Sequence, residues 1–326
     1  MENGSETTMN DVSSAVTLPR VKAEKKKNRR GFKMFLMISP FLVLSFIFSY
    51  FPLYGWIYAF FDYRPPLSLA QCEFVGMKWF EMLFRNSTQI QLLLKVMGNT
   101  FAMSALGILA SVLPILFAVF LSEINVRWFK KGVQTLATLP NFISWVLVYS
   151  VAYSLFSSSG MMNNVLQSVG LIDQPIKFLD SDEHTWLKMC LWGVWKGLGW
   201  NAIIYLAAIA GIDQELYQSA RVDGAGRFRL MWHITLPGII PTFFVLLLLS
   251  VANFLSNGLD QYYVFQNAFN REHIQVLDLY VYNISMGGSN SYSLATALSM
   301  LKSIISVTLL IGVNTLSKAV RKETIV

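Results

Sequence analysis

Long apolar stretches separated by polar loops dominate the chain from residue 34 onwards. Six such stretches carry almost no charge and cover residues 34–61, 96–122, 132–157, 189–212, 230–259 and 293–317. A bilayer core needs about 20 consecutive apolar residues per helix, and a segment in lipid must pair its own backbone groups. Barrel strands would instead alternate in hydropathy over ~10 residues. The pattern therefore predicts an all-α integral membrane protein with about six transmembrane helices.

The distribution of basic residues predicts how these helices are oriented. Of the 26 lysines and arginines, 17 lie in the segments 1–33, 123–131, 213–229 and 318–326. Only 7 lie in the segments 62–95, 157–188 and 260–292. Membrane proteins concentrate Lys and Arg in their cytoplasmic loops. Both termini are therefore predicted to be cytoplasmic, and this bias explains the net charge of +7 without a nucleic-acid partner.

Composition supports a single membrane domain with short polar ends. Hydrophobic residues make up 54% of the 326 residues and charged residues 14%, against about 25% charged in soluble proteins. We expect a basic cytoplasmic tail over 1–32, a transmembrane domain over 33–320 and a cytoplasmic end over 321–326. Residues 72–95 fit either an amphipathic segment on the outer interface or a packed loop.

Two cysteines, Cys72 and Cys190, are too few for a disulfide scaffold. Both are expected near the outer face, as two free thiols or as one bridge. No cleavable signal peptide is expected, because the first apolar stretch is long and no small-residue cleavage site follows it.

Motifs of soluble catalytic sites are missing from the sequence. The three histidines are scattered, and the patterns H-E-x-x-H, C-x-x-C and G-x-S-x-G do not occur. No glycine is followed by lysine, so the phosphate loop G-x-x-x-x-G-K-[ST] is also absent. We therefore predict that the chain is not an enzyme and binds no metal or other cofactor itself. If ATP drives this protein, another subunit must bind it.

The predicted inner loop at 211–229 has the pattern of a short helix that ends in a rigid turn. Asp213 and Glu215 suit a helix N-terminus, where the helix dipole favours negative charge. Residues 214–222 are predicted to form the helix, and Gly224 suits the left-handed conformation that closes it. Pro237 lies near the start of the next helix. A short projecting helix of this kind suits a groove on a partner protein, although an ordinary polar connection fits the composition too.

This loop resembles the cytoplasmic coupling loop of bacterial ABC importer permeases, with the general form E-A-A-x-x-D-G-A…I-x-L-P. The matching positions are Gln218-Ser219-Ala220, Asp223-Gly224-Ala225 and Ile234-x-Leu236-Pro237, preceded by Glu215-Leu216-Tyr217. Gln218 and Ser219 depart from the usual Glu and Ala. The likeness extends over about residues 33–322 and is greatest to carbohydrate-uptake permeases of the maltose-importer type, especially those for complex or uronate-containing oligosaccharides.

The resemblance implies a type I importer permease in a bacterial cytoplasmic membrane, with an oligosaccharide as substrate. It implies a second, related permease, two copies of a cytoplasmic ATPase that bind ATP-Mg, and an external solute-binding lipoprotein. The ATPases would press on the residues that carry the motif: Glu215, Gln218, Ser219, Ala220, Asp223, Gly224, Ala225, Leu236 and Pro237.

Residues on the substrate path are harder to assign from the sequence. Lys196 and Lys302 are ionisable residues inside predicted spans, which makes them functional candidates, although lysines near helix ends also extend to the headgroups. The further candidates have the chemistry of sugar stacking and hydrogen bonding: Trp195, Asn201, Asn253 and Tyr262. Gly193 and Gly197 are expected to permit close helix packing.

Two other classes of membrane protein fit the sequence less well than an importer permease. A self-sufficient secondary transporter predicts inverted repeats and interrupted helices at matching places, and the sequence does not show them. A membrane-embedded enzyme needs a cluster of His, Asp or Glu within its spans, which the sequence lacks.

Overall fold

The computed structural model describes residues 24–287 and 291–321, and the protein is 77% helical. Within those residues there is no β-strand, only one antiparallel bridge between Phe61 and Phe74. The α-helices in chain order are α1 (Glu24–Ser49), α2 (Lys78–Arg85), α3 (Ser87–Ala110), α4 (Val112–Ser122), α5 (Arg127–Thr138), α6 (Trp145–Phe156), α7 (Met161–Ser168), α8 (Thr185–Ala210), α9 (Gln214–Val222), α10 (Arg227–Leu230), α11 (Leu236–Ala252), α12 (Asp260–Phe265), α13 (Arg271–Ile274), α14 (Leu277–Met286) and α15 (Tyr292–Arg321). The all-α fold class is therefore confirmed.

The chain divides after Gly55 into two compact units. The described part of the first unit is α1 and the start of a 3₁₀ segment, Phe51–Phe60. Helix α1 begins at Glu24, so it starts before the predicted end of the basic tail at residue 32. The predicted tail over 1–23 and the end over 322–326 lie outside the described residues.

Helix α8 is the central element of the second unit. It packs against α3, α4, α5 and α11. At its crossing with α5, a Cβ on Gly199 would lie 2.3 Å from the carbonyl carbon of Ala137, so only glycine permits this approach. The predicted close packing at Gly193 and Gly197 is therefore found two residues further along the helix, at Gly199.

Within the part of the chain that the structure describes, four helical segments are long and apolar enough to cross a membrane: Gly31–Phe60, Ser87–Ser122, Arg227–Ala252 and Tyr292–Thr315. Helix α8 has 26 residues and so is about 39 Å long, but four tryptophans, three glycines and two lysines lower its hydropathy. The count of six spans and the cytoplasmic orientation of both termini stay predictions.

The third predicted span is broken. Segments Arg127–Phe142 and Trp145–Ser168 meet at an angle of 104°, and counting this pair as one span would make five. Pro140 lies in a 3₁₀ turn, Leu139–Phe142, and Ser144 then caps the next helix by accepting a hydrogen bond from Leu147 N–H at 3.4 Å. Proline lacks a backbone donor and a new cap starts a new helix, so the bend follows from the local sequence.

Residues 72–95 contain α2 and the start of α3. Helix α2 is amphipathic, but its Leu83 is fully buried in a cluster with Val96, Leu277 and Tyr280. Both cysteines are free thiols.

Candidate functional site

A cavity of about 550 Å³ lies among α3, α4, α8, α11 and α12, and is called here the central cavity. Its polar lining consists of amides and hydroxyls: Ser104, Ser111, Asn201, Tyr205, Ser250, Asn253, Ser256, Asn257, Gln261 and Tyr262. No Asp, Glu, Lys, Arg or His lines it among the residues that the structure describes. The size is typical of a small-molecule site. Its chemistry suits an uncharged, hydroxyl-rich ligand rather than an ion.

Hydrogen bonds hold the amides of this lining in place. Asn257 Nδ2 donates to Ser104 Oγ at 2.8 Å, and Ser104 Oγ in turn donates to the carbonyl of Phe254. Gln261 Nε2 donates to the carbonyl of Met189 at 2.7 Å. The Oδ1 atom of Asn257 is buried and has no partner in the described chain. A buried acceptor without a partner is costly to the fold.

The wall that carries Asn253, Asn257 and Gln261 consists of the break between α11 and α12 and the first turn of α12. Gly258 there has a φ of +82°, a backbone conformation that glycine adopts without strain. Its N–H donates to Asp278 Oδ2 at 3.1 Å, and Asp278 also forms an ion pair with Lys302. Helices α14 and α15 therefore anchor this wall through one carboxylate.

Three of the six predicted path residues line the central cavity, namely Asn201, Asn253 and Tyr262. Lys302 does not line the cavity, and its ammonium is paired with Asp278. Lys196 does not either: its Nζ donates to the carbonyls of Pro140 and Asn141, at 3.2 and 2.8 Å.

Lys196 thereby satisfies carbonyls at the break of the third span, and its Nζ lies 5.4 Å from the ring centroid of Trp145. Trp195, the third predicted residue outside the lining, packs edge-on against Trp192 at 5.7 Å.

Sequence reasoning missed Ser104, Asn257 and Gln261. The polar interruption of the fifth apolar stretch, Asn253 to Gln261, was the available signal for the last two.

The inner loop forms the predicted short helix, α9, and its capping follows the sequence. Asp213 Oδ1 accepts a hydrogen bond from Glu215 N–H at 2.9 Å. At the other end Gly224 has a φ of +79°, and the N–H of Ala225 donates to the carbonyl of Ala220 at 2.9 Å. Backbone bonds of this kind close helices that end in a left-handed glycine. Both predicted ends of the helix are therefore confirmed.

Two contacts join this loop to the start of α11. Tyr217 Oη and the Thr235 hydroxyl form a hydrogen bond of 3.0 Å, and Thr235 is 1% exposed. Gly238 lies against Ile212, where a Cβ would be 2.5 Å from Ile212 Cδ1. Thr235 ends a single π-helical turn, Met231–Thr235, and such turns occur frequently at functional sites.

Several large apolar side chains of this inner loop are exposed. Leu216 is 53% exposed, Val222 88% and Phe228 79%. Of the predicted motif residues, Glu215, Gln218, Ser219, Asp223 and Gly224 are exposed, Ala220, Ala225 and Leu236 are half-buried, and Pro237 is exposed at the first turn of α11. Exposed apolar side chains rimmed by polar ones mark interaction surfaces. Residues 211–238 are called here the coupling segment.

A family model matches residues 110–322, which include the coupling segment and most of the central cavity. Its description is binding-protein-dependent transport system inner membrane component. The chain belongs to this family. It is thus the permease of an ATP-binding-cassette importer and a multi-pass protein of the plasma membrane.

Named relatives of this permease come from Bacillus subtilis (strain 168). Protein LplB is 36% identical over 89% of this chain and 90% of its own length. The polygalacturonan/rhamnogalacturonan transport system permease protein YteP is 38% identical over 89% of each chain.

The permease also resembles a chain of a solved bacterial ABC transporter involved in the import of the acidic polysaccharide alginate. The TM-score is 0.77 at 30% identity, and the match covers 91% of this chain and 98% of that one. A second structure, of the alginate transporter in complex with an alginate pentasaccharide-bound periplasmic protein, gives a TM-score of 0.78 at 30% identity. The type I importer permease fold expected from the coupling loop agrees with these neighbours.

Proposed function

We propose that this permease carries an oligosaccharide through its central cavity and is driven by ATPases that bind its coupling segment. The observation that supports this most directly is that α11 joins the two regions. Gly238 in its first turn lies against Ile212, and Thr235, directly before α11, is hydrogen-bonded to Tyr217 of α9. Further along the same helix, Leu246, Leu249 and Ser250 line the central cavity. A force on α9 therefore has a continuous helical path to the substrate.

The lining chemistry supports a saccharide as the substrate. Amides and hydroxyls both donate and accept hydrogen bonds, which matches the hydroxyl groups of a sugar. The relative YteP is named as a polygalacturonan/rhamnogalacturonan transport permease, and the solved transporter is involved in the import of alginate. We propose that the substrate of this chain is likewise an oligosaccharide.

The remaining subunits follow from the same proposal. A second permease completes the membrane path, two cytoplasmic ATPases hold ATP-Mg, and an external binding lipoprotein delivers the sugar. Closure of the ATPases on ATP favours one of two arrangements of α9 and α11, which is a population shift imposed by a ligand on a partner chain.

The test begins with the assembled complex. The tagged chain is extracted from its native membrane, co-purifying proteins are identified by mass spectrometry, and the complex is reconstituted for uptake of a radiolabelled oligosaccharide. We expect a second permease, an ATPase and uptake that requires ATP. A chain that purifies alone and drives uptake with an ion gradient would instead make it a secondary transporter.

A pair of variants then tests the cavity itself. Asn201→Leu removes a hydrogen-bonding group from the lining and is expected to reduce uptake about tenfold, since hydrogen-bonding sites discriminate strongly against a lost partner. Trp195→Leu changes a neighbouring side chain on α8 that lies outside the lining and is expected to keep uptake within about twofold. Loss of uptake in Trp195→Leu with normal uptake in Asn201→Leu would place the substrate path at Trp195. It would contradict passage of the sugar through the central cavity.

A further inference from the structure

A second cavity, of about 410 Å³, lies at the start of α15 and is called here the aromatic cavity. Its lining comes from the segment after the first unit, from α2 and from the start of α15: Asp62, Tyr63, Arg64, Pro65, Trp79, Ser291, Tyr292 and Ser293. It shares no lining residue with the central cavity. Like that cavity, it falls within the ~300–1,000 Å³ of small-molecule sites.

Specific hydrogen bonds between distant parts of the chain fix the walls of this cavity. Tyr63 N–H donates at 3.0 Å to the hydroxyl of Ser293, which is 1% exposed and lies 230 residues away. Trp79 Nε1 donates at 3.0 Å to the carbonyl of Phe61. Because each wall is tied to another element, the cavity is preformed rather than a gap between loose loops.

The lining combines aromatic rings with one charged pair. The rings of Tyr63 and Tyr292 meet edge-to-face with centroids 6.0 Å apart, and Trp79 adds an indole. Arg64 Nη2 donates to Asp62 Oδ2 at 2.8 Å, and the side chain of Arg64 is 76% exposed while that of Asp62 is 18% exposed. A guanidinium has five N–H donors, so most of them remain available.

Arg64 is the only cation among the described residues that line either cavity. Its contact with Asp62 orients the guanidinium without using its other donors, and a planar guanidinium binds a second carboxylate through two parallel hydrogen bonds. Aromatic rings supply flat apolar surfaces against which a sugar ring packs. The aromatic cavity therefore offers what the central cavity lacks, a partner for a carboxylate.

We propose that the aromatic cavity binds a uronate unit of the oligosaccharide, with Arg64 on its carboxylate and Tyr63, Trp79 or Tyr292 against its ring. This rests on the proposed function, because it takes an oligosaccharide as the substrate. The charge distribution of the loops predicts that residues 62–95 and 260–292 lie on the external side of the membrane. An arriving chain would then meet the aromatic cavity first and the uncharged central cavity second.

The experiment uses the whole importer with its binding protein in proteoliposomes and compares two probes. One is a trimer of galacturonic acid, and the other is the carboxyl-reduced trimer with the same linkages. Arg64→Gln is expected to raise the half-saturating concentration of the acidic trimer about tenfold and to leave the neutral trimer within about twofold, since a charge-assisted bidentate contact is lost. Arg85→Gln is the matched control, because Arg85 is exposed at the end of α2 and outside the lining.

A second variant keeps the proposal testable if the charge pair proves structural. Tyr292→Leu leaves Arg64 and Asp62 in place and is expected to weaken uptake of both trimers about threefold, since stacking contacts of this kind contribute modestly.

Four outcomes separate the possibilities. Absence of ATP-dependent uptake of any saccharide by the wild-type importer would contradict the proposed function itself. Uptake of the neutral trimer alone, or of the acidic trimer equally by wild type and Arg64→Gln, would overturn the uronate site and leave the importer intact. An equal loss for both trimers in Arg64→Gln would place Arg64 in the contact with the binding protein, and would overturn the site as well.

Discussion

Helix α11 contributes its first turn to the coupling segment and later residues to the central cavity. The two regions differ in the charge and exposure of their side chains. The cavity is lined by apolar side chains together with uncharged amides and hydroxyls, and side-chain hydrogen bonds to distant elements hold Asn257 and Gln261. The coupling segment is charged, exposes large apolar side chains, and depends on backbone caps within a few residues of sequence. Under the proposed function, the cavity binds the sugar and the coupling segment binds the ATPases.

This difference predicts how each region fails. A change of backbone geometry disables the coupling segment and leaves the cavity intact, because its shape comes from local turns. A change of a distant charge disables the cavity wall and leaves the coupling segment intact, because its shape comes from long-range contacts. The three predictions below test this difference at the turn, at the wall and at the link between the two regions.

The largest effect is expected from Gly224→Val at the end of α9. Gly224 has a φ of +79° and no atom lies within 4 Å of a Cβ built there, so the variant acts through the backbone alone. A β-branched residue strongly disfavours this conformation, at a cost of about 1–3 kcal/mol if it persists. ATP-dependent uptake is expected to fall more than tenfold, measured in proteoliposomes beside the rate of ATP hydrolysis.

Gly226→Val is the matched control for this turn. Gly226 has a φ of −74° and a ψ of 168°, which suit a β-branched residue, and it too has open space around a Cβ. Uptake close to wild type in this variant, with loss in Gly224→Val, would place the effect in the left-handed turn. Equal losses would mean that any side chain on this surface blocks a partner.

A smaller effect is expected from breaking the Lys302–Asp278 pair behind the cavity wall. Both side chains are about a fifth exposed, at 18% and 20%, and Lys302→Met leaves a carboxylate whose remaining partner is the N–H of Gly258. Removing one member of a buried pair costs about 3–5 kcal/mol, and partial exposure puts this case near the lower end. The fraction of monodisperse complex after heating is the measurement.

Two further variants separate charge from packing at this site. Lys302→Met with Asp278→Leu removes both charges and is expected to recover most of the stability. Lys95→Met breaks an ion pair with Glu272, in which the side chains are 44% and 67% exposed and the hydrogen bond from Lys95 lowers the pKa of Glu272. We expect little change there, because exposed pairs contribute little. Equal losses in Lys95→Met and Lys302→Met would contradict the structural role of the inner pair.

Sequence reasoning succeeded where the structure is local. Asp213 and Gly224 were assigned as the ends of the coupling helix because caps depend on a few neighbouring residues, and the family membership follows the same loop. The broken third span was missed although Pro140 and Ser144 lie at the bend, because the hydropathy of a bent pair differs little from that of one helix.

The cavity was predicted less well because its contacts are long-range. An intramembrane lysine is a functional candidate by default, yet Lys196 is bound to carbonyls about 55 residues away and Lys302 to Asp278 on the preceding helix. Hydropathy shows that a charge lies within a span but does not show what neutralises it. The polar residues Asn257 and Gln261 became recognisable only when α3 and α8 were seen beside them.

The smallest effect is expected from Tyr217→Phe, which removes the hydrogen bond between α9 and Thr235, the residue directly before α11. The variant keeps the ring and leaves the buried Thr235 hydroxyl without this partner, a loss of about 1 kcal/mol. If this bond transmits the motion of α9, the sugar taken up per ATP hydrolysed is expected to fall about threefold while the complex still assembles. Tyr153→Phe, at a half-exposed tyrosine on α6, is the control.

Adding Thr235→Val to Tyr217→Phe separates stability from transmission. The double variant leaves no orphan hydroxyl, and replacing both partners of a hydrogen bond by apolar groups is nearly neutral for stability. Its thermal stability is therefore expected to return towards wild type. Its sugar-to-ATP ratio is expected to stay low, because the connection between the two regions is still missing. Recovery of both quantities together would mean that the bond only stabilises the fold, and that Gly238 against Ile212 is the contact that joins coupling to α11.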